Sequence, residues 1–410
     1  MLSEKDAPRP AVVVDMGEFT PYASVTRLTA ASPGDRGLHL TWDDGFSAFF
    51  HDIWLRDHCA CPVCRHPQTR ERLVRIIDLP VVPPAPGTEI TADGALALHW
   101  PAMAGFDIHH SLFDPGWLRQ RAVGGAPEPL SVDRKSPWDA SLAAHLPAVD
   151  HAAFMHTDGG LAEWLQALDR YGFVLMRGGP AAEGEVLRVA ERVGWPRESN
   201  FGRHFDVFSK PDPNNAAYTA IALEPHVDLP NWERPPDFQL LYCLTNDALG
   251  GESTLTDGYA VSEALKAEDP GAFRFLNELA IDFRFQDEVS DIACRAPVIG
   301  CDEYGKPVVI RFNNWIRETL RLPAGQTEPF YAAYRRFWEM LRDPRYTLRF
   351  KLAPGEMIAF DNLRILHGRE AFDPGSGRRH LQGAYLDRDL IRSRQRVLER
   401  TRAGPPATGR

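Results

Sequence analysis

A mainly β fold with helices is predicted, a double-stranded β-helix of the jelly-roll kind preceded by a small β-rich domain. Three observations predict it. Thirty-four prolines and 32 glycines break the chain into short segments, which suits many-turned β structure better than a helical bundle. From Phe201 onward those segments read mostly as short strands, with helical insertions around Gly258 to Leu279 and from Pro329 to Leu341. A length of 410 residues exceeds one ordinary core, so two domains are expected, residues 1–125 and 126–410.

Each element has its own local reason. Residues 1 to about 37 carry Pro and Gly punctuation and read as irregular. Leu38-His-Leu-Thr-Trp42 and Ser47-Ala-Phe-Phe-His51 alternate around Asp43-Asp-Gly45, the pattern of a β-hairpin with a glycine turn. Leu73 to Leu79 and Ala95 to Trp100 read as further strands. A helix-like Trp117-Leu-Arg-Gln-Arg and the Gly/Pro-rich passage Gly124 to Pro129 lead into the linker. Leu161, Trp164, Leu165 and Leu168 then recur at helical spacing until Gly172 ends the run. Phe173-Val-Leu-Met176 follows as a buried strand and Glu183 to Val193 as a second helix.

Composition excludes several classes of function. The net charge of −10 argues against nucleic acid, whose phosphates need a basic face; the arginines between Arg392 and Arg402 read as one side of a solvated terminal helix. No apolar run reaches the roughly 20 residues of a bilayer span, and Met1 to Asp6 holds no apolar signal core. The expectation is a cytoplasmic protein. No Walker loop, no Gly-rich dinucleotide turn between strand and helix, and no Ser-His-Asp or Cys-His arrangement stands out.

Two clusters carry chemistry. In Cys59-Ala-Cys61-Pro-Val-Cys64, three of the six cysteines crowd together, and in a reducing compartment such thiols suit tetrahedral zinc rather than disulfides. A fourth ligand is wanted, and His58, His66, His99, His109 and His110 are all available. The second cluster is His226-Val-Asp228, whose alternate residues share one face of a strand. With His367 they make two histidines and one carboxylate, a set that leaves half of an octahedral Fe(II) open. Arg379 follows His367 closely enough for a strand reversal to bring its guanidinium near the metal, where it would clamp a carboxylate. Triad plus arginine is the arrangement of enzymes that activate O2 with 2-oxoglutarate.

These residues lie within longer motifs: Trp54-Leu-Arg-Asp-His-Cys-Ala-Cys-Pro-Val-Cys64, Asn214-Asn-Ala-Ala-Tyr218, Gln239-Leu-Leu-Tyr-Cys243, Gly250-Gly-Glu-Ser253, Arg311-Phe-Asn-Asn314, Phe360-Asp-Asn362, His367-Gly-Arg369 and Arg379-His-Leu-Gln-Gly-Ala-Tyr385. Over nearly its whole length the chain thereby resembles the γ-butyrobetaine dioxygenase and trimethyllysine dioxygenase family. The resemblance implies iron on His226, Asp228 and His367, zinc on Cys59, Cys61, Cys64 and His109, and 2-oxoglutarate against Arg379 with Ser253 and Leu241 as neighbours. It also implies O2 as cosubstrate, ascorbate as an accessory reductant, a homodimer, and hydroxylation of a small trimethylammonium compound. γ-Butyrobetaine, giving L-carnitine, is the first expectation, and trimethyllysine or a trimethylamino phosphonate the alternative; a metal-binding jelly roll without oxygenase activity is the contrasting class. An aromatic cage suits such a cation, which cannot donate a hydrogen bond and is drawn to ring faces. Matching the motifs puts Phe201, Phe205, Tyr218 and Tyr385 at the cage and Asn215 near a substrate carboxylate. Phe201 and Phe205 depart from the Tyr and Trp of γ-butyrobetaine enzymes, and Leu229 replaces an aromatic, with Trp232 nearby to compensate.

Overall fold

The computed structural model describes residues 13–19, 22, 27–103, 105–122, 135–208 and 219–403. They belong to two compact units, residues 1–133 with 399–410, and residues 134–398. The passage Gly124 to Pro129 lies outside the described residues.

The first unit holds two three-stranded antiparallel sheets, one of β1 (Leu28–Gly34), β2 (Gly37–Trp42) and β3 (Ser47–His51), the other of β4 (Gly87–Ile90), β5 (Leu96–Trp100) and β6 (His109–Phe113). The expected hairpin forms as β2 and β3, with Gly45 at φ +81° supplying the left-handed turn. Alternation buries Leu38, Leu40 and Trp42 of β2, and these pack with Leu96, Leu98 and Trp100 of β5. Helix α1 (Asp52–Asp57) leaves β3 without a loop. Helix α2 (Pro115–Arg121) starts at Asp114, whose carboxylate accepts from the Gly116 and Trp117 amides.

Two expectations fail here. Leu28 to Gly34, read as irregular, is a strand because β2 offers it a partner; only Leu28 is buried, and Pro33 is tolerated near the end of an edge strand. Leu73 to Leu79 is not a strand. It contains a single 3₁₀ turn at Ile76–Asp78, since Val74-Arg75-Ile76-Ile77-Asp78 does not alternate and would leave two apolar residues side by side on opposite faces.

The second unit is built on two sheets. The larger runs β7 (Ala148–Asp150), β8 (Phe173–Arg177), β19 (Met357–Asp361), β11 (Phe238–Asn246), β22 (Arg379–Leu386) and β9 (Phe205–Phe208), antiparallel except between β7 and β8. The smaller runs β10 (Leu223–His226), β20 (Ile365–Arg369), β13 (Ser253–Asp257) and β18 (Thr347–Phe350), antiparallel throughout. One apolar cluster joins Phe173, Cys243, Ile358 and Leu381 of the larger sheet to Leu255, Leu348 and Ile365 of the smaller, so those side chains mark the inner faces. Period-two alternation then fixes which of their neighbours look inward.

Helices cover the outer faces. Leu240, Tyr242 and Leu244 pack against α4 (Asp158–Tyr171), α5 (Glu185–Val193) and α9 (Arg388–Ala403). Thr157 caps α4 through the Gly160 amide, and Gly172 closes it at φ +74°, so the helix has the bounds its apolar spacing predicts. Its partner α3 (His151–His156) precedes it. Outside the smaller sheet, Leu366 and Val227 join a core made by α6 (Gly258–Glu268), α7 (Pro270–Glu278) and α8 (Ala324–Leu341). Three two-stranded pairs complete the unit: β12 (Leu249–Gly250) with β21 (Phe372–Asp373), β14 (Ala280–Gln286) with β15 (Asp291–Pro297), and β16 (Ile299–Cys301) with β17 (Pro307–Ile310). Among the described residues no helix is long and apolar enough to cross a membrane.

Candidate active site

His226 ends β10 directly opposite His367 on β20. Asp228, two residues further, brings its Oδ1 to 3.5 Å from His226 Nε2 and 3.7 Å from His367 Nε2. The three donor atoms all lie within 4.8 Å of one another. His226 donates from Nδ1 to the Glu224 carbonyl at 2.8 Å, which turns the Nε2 lone pair toward the other two groups. His367 is held by packing, its ring 4.2 Å from that of His226 and 4.8 Å from that of Phe360. Burial first, and then the neighbouring His226, pushes the His367 pKa down to about 3, so its ring is neutral. Burial works to raise the Asp228 pKa, but His367, His226 and the Tyr385 hydroxyl outweigh it and hold the carboxyl well below its usual range. Two imidazoles and one carboxylate facing a common point fit a divalent iron with open positions.

Arg379 opens β22 on the same face as Leu381, Gly383 and Tyr385. Its Nε is buried without a partner, and no ion pair engages it among the described residues. Burial pulls its pKa down to about 10, which leaves it charged. Gly251 lies beside it and holds a left-handed φ of +72° that L side chains rarely adopt. A half-buried guanidinium with no carboxylate on it fits an anionic cosubstrate. Leu241 lies opposite Gly383 on β11, and Ser253 opposite Arg369 on β20.

A row of rings leads from this face. The Tyr385 hydroxyl donates to Asp228 Oδ2 at 2.9 Å. Phe205 stands 5.2 Å from Tyr385 and packs onto Gly383, where any Cβ would come within 2.3 Å of its ring. Phe201 follows at 6.2 Å from Phe205, and Phe285 of β14 at 6.0 Å from Phe201. Asn215 and Tyr218 lie outside the described residues. Trp232 has the Arg197 guanidinium over its ring at 5.4 Å, so one face is already occupied within the protein.

In the first unit, a turn from the Cys61 carbonyl to the amides of Cys64 and Arg65 folds the cysteine loop toward the start of β6. His109 Nε2 lies 3.3, 3.7 and 3.4 Å from the sulfurs of Cys59, Cys61 and Cys64. A tetrahedral ion at usual zinc bond lengths sets sulfur–nitrogen edges of roughly 3.5 Å. The four side chains therefore fit such an ion. The other histidines are engaged elsewhere: His58 with the Trp54 carbonyl, His66 with the Gln68 and Thr69 amides, and His99 with His110. Buried Arg56 donates to Cys64 Sγ at 3.2 Å. The hydrogen bond from Cys59, then Arg56, holds the Cys64 thiol below its usual pKa despite burial.

Residues 135–385 match the model of the taurine catabolism dioxygenase TauD, TfdA family. The chain belongs to that family. It is thus an enzyme, a dioxygenase that uses Fe(II) and 2-oxoglutarate. Residues 29–119 match a second model, the N-terminal region described as γ-butyrobetaine hydroxylase-like. A γ-butyrobetaine dioxygenase of Pseudomonas sp. (strain AK-1) is 41% identical over 388 residues, 94% of this chain and 100% of that one. The Homo sapiens γ-butyrobetaine dioxygenase is 32% identical over 92% of this chain and 98% of its own. The mitochondrial trimethyllysine dioxygenase of Gallus gallus is 31% identical over 85% of this chain and 83% of its own.

Phe285, Arg56 and Trp315 also border the two sites without standing out in the sequence; the Trp315 ring meets that of His226 edge-on at 5.0 Å. Trp315 adjoins the Arg311–Asn314 motif, a signal that was available. Phe285 has none, because only the fold brings its hairpin to Phe201.

Proposed function

We propose that this protein hydroxylates a small trimethylammonium acid, γ-butyrobetaine giving L-carnitine, with a jelly-roll catalytic domain behind a zinc-stabilised N-terminal one divided near residue 125. The observation that carries the reading is the row Phe201, Phe205, Tyr385, which ends in a hydrogen bond to a carboxylate of the metal triad. Ring faces attract a quaternary ammonium by about 0.5–2 kcal/mol each, more when water is excluded. In this reading His226, Asp228 and His367 hold iron. Cys59, Cys61, Cys64 and His109 hold zinc. Arg379 takes the far carboxylate of 2-oxoglutarate beside Ser253 and Leu241, while Asn215 and Tyr218 complete the substrate pocket. Iron with 2-oxoglutarate and O2 supplies the oxidising power for C–H hydroxylation, and succinate and CO2 are released. The chain's own groups orient and exclude: Tyr385 occupies Asp228 Oδ2 and leaves Oδ1 for the metal, and the rings keep water from the reacting carbon. No general base is needed at an unactivated carbon.

Phe201 and Phe205, in place of more polar rings, alter the cage that would meet the cation and favour a second reading in which another quaternary or methylated amine is the substrate, trimethyllysine or a trimethylamino phosphonate. Succinate release over these three compounds and the tert-butyl isostere 5,5-dimethylhexanoate tests both. γ-Butyrobetaine is expected to drive turnover to carnitine, and the isostere, which keeps shape but lacks the cation, to fail. Equal turnover with the isostere would mean a substrate without a cationic head. A homodimer and a cytoplasmic location belong to the same reading, and light scattering on the purified chain checks the first.

A further inference from the structure

The ladder between β10 and β20 ends at the His226–His367 pair. Asp228 lies past that end, and a side chain holds its backbone. Asn362 Oδ1 accepts from the Asp228 N–H at 2.8 Å, and Asn362 Nδ2 donates to the Asp228 carbonyl at 2.9 Å. Residues facing each other in an antiparallel ladder exchange two bonds in this way; here an amide stands in for the strand. The remaining Nδ2 hydrogen goes to the Pro236 carbonyl at 3.0 Å, so the amide has one orientation that satisfies all three. Asn362 is wholly buried.

The chain needs such a hold. Leu229, immediately after Asp228, has φ +53°, a left-handed conformation uncommon for a branched side chain. Asn362 lies in the turn between β19 and β20, five residues before His367, and its own N–H bonds to the Asp237 carbonyl at 2.8 Å. One side chain thus ties the backbone of one triad member to the turn that leads into the strand carrying another.

We propose that Asn362 is a positioning residue that presets the Asp228 carboxylate against His367 for the metal, an inference that rests on the triad being the iron site. Asn362→Ala removes the hold. Asn362→Asp keeps the size and the acceptor but turns an oxygen toward two carbonyls, and Asn362→Ser keeps only a small hydroxyl should the alanine variant not fold. The readouts are anaerobic Fe(II) titration with 2-oxoglutarate, followed by the visible charge-transfer absorbance, and Co(II) titration as an air-stable check. Affinity for either metal should fall on the order of 10- to 100-fold, as for other groups that orient a ligand, and the visible band should shift. A purely structural role would lower the melting temperature and leave the metal affinity and the band of the folded variant unchanged, and that result overturns the proposal alone. Failure of the unaltered chain to bind Fe(II) overturns the iron reading and this inference with it.

Discussion

The two metal-competent clusters are built in opposite ways. In the first unit three donors come from six consecutive residues, a fourth arrives from one strand, and the four close a tetrahedron whose donors are spoken for. In the second unit two donors come from strands far apart in sequence and the third, Asp228, from just past the end of one of them; beside them stand an arginine with no ion pair among the described residues and a row of rings. Closed four-donor sites fit structural ions, and open three-donor sites fit ions that must take up reactants. The contrast teaches that donor count and what surrounds it, rather than the presence of a cluster, separate a fold-holding site from a reacting one.

The largest expected effects would break this contrast. Removing a donor from the open site by His367→Ala should abolish substrate-dependent succinate release yet leave thermal unfolding nearly unchanged. Cys64→Ser in the closed site should do the reverse in kind: lost zinc and an unfolded first unit, because binding energy there is folding energy. Limited proteolysis confined to residues 1–133 would register it. If both variants lost stability equally, or both lost only activity, the distinction would fail.

Smaller effects sharpen it. Arg379→Lys keeps the charge and loses the planar fork. A charge-assisted hydrogen bond contributes about 1.5–3 kcal/mol, so 2-oxoglutarate affinity should fall roughly 10- to 150-fold, with γ-butyrobetaine affinity little altered. Equal losses for the two ligands would make Arg379 structural. Phe205→Ala should weaken substrate binding by about threefold to thirtyfold and leave the 2-oxoglutarate KM in place. Competition calorimetry separates the two ligands.

How legible each site was follows from the same contrast. The cysteine loop is local, so its metal chemistry stands in the sequence; spacing leaves five histidines open, the family resemblance implies His109, and the fold brings β6 with His109 beside that loop. His226 and Asp228 read as one strand face in the sequence, but β10 ends at His226 and Asp228 lies past it, held by other contacts; His367 and Arg379 needed the order of motifs along the chain. Asn362 stands in the Phe360-Asp-Asn362 motif, but its part as a side chain replacing a strand leaves no periodic trace, and neither does the Phe285 ring delivered by a distant hairpin. The helix ending at Gly172 was legible because apolar spacing, cap and glycine agree. Leu73 to Leu79 misled because its composition is strand-like and its order is not.

The most direct test is metal analysis of the purified chain before and after anaerobic dialysis against a mild chelator, with activity measured alongside. The account predicts about one zinc per chain that survives dialysis with the fold intact, and activity that disappears and returns on adding Fe(II) but not zinc. Zinc lost as readily as iron, or activity restored by zinc alone, would contradict the division into a closed and an open site.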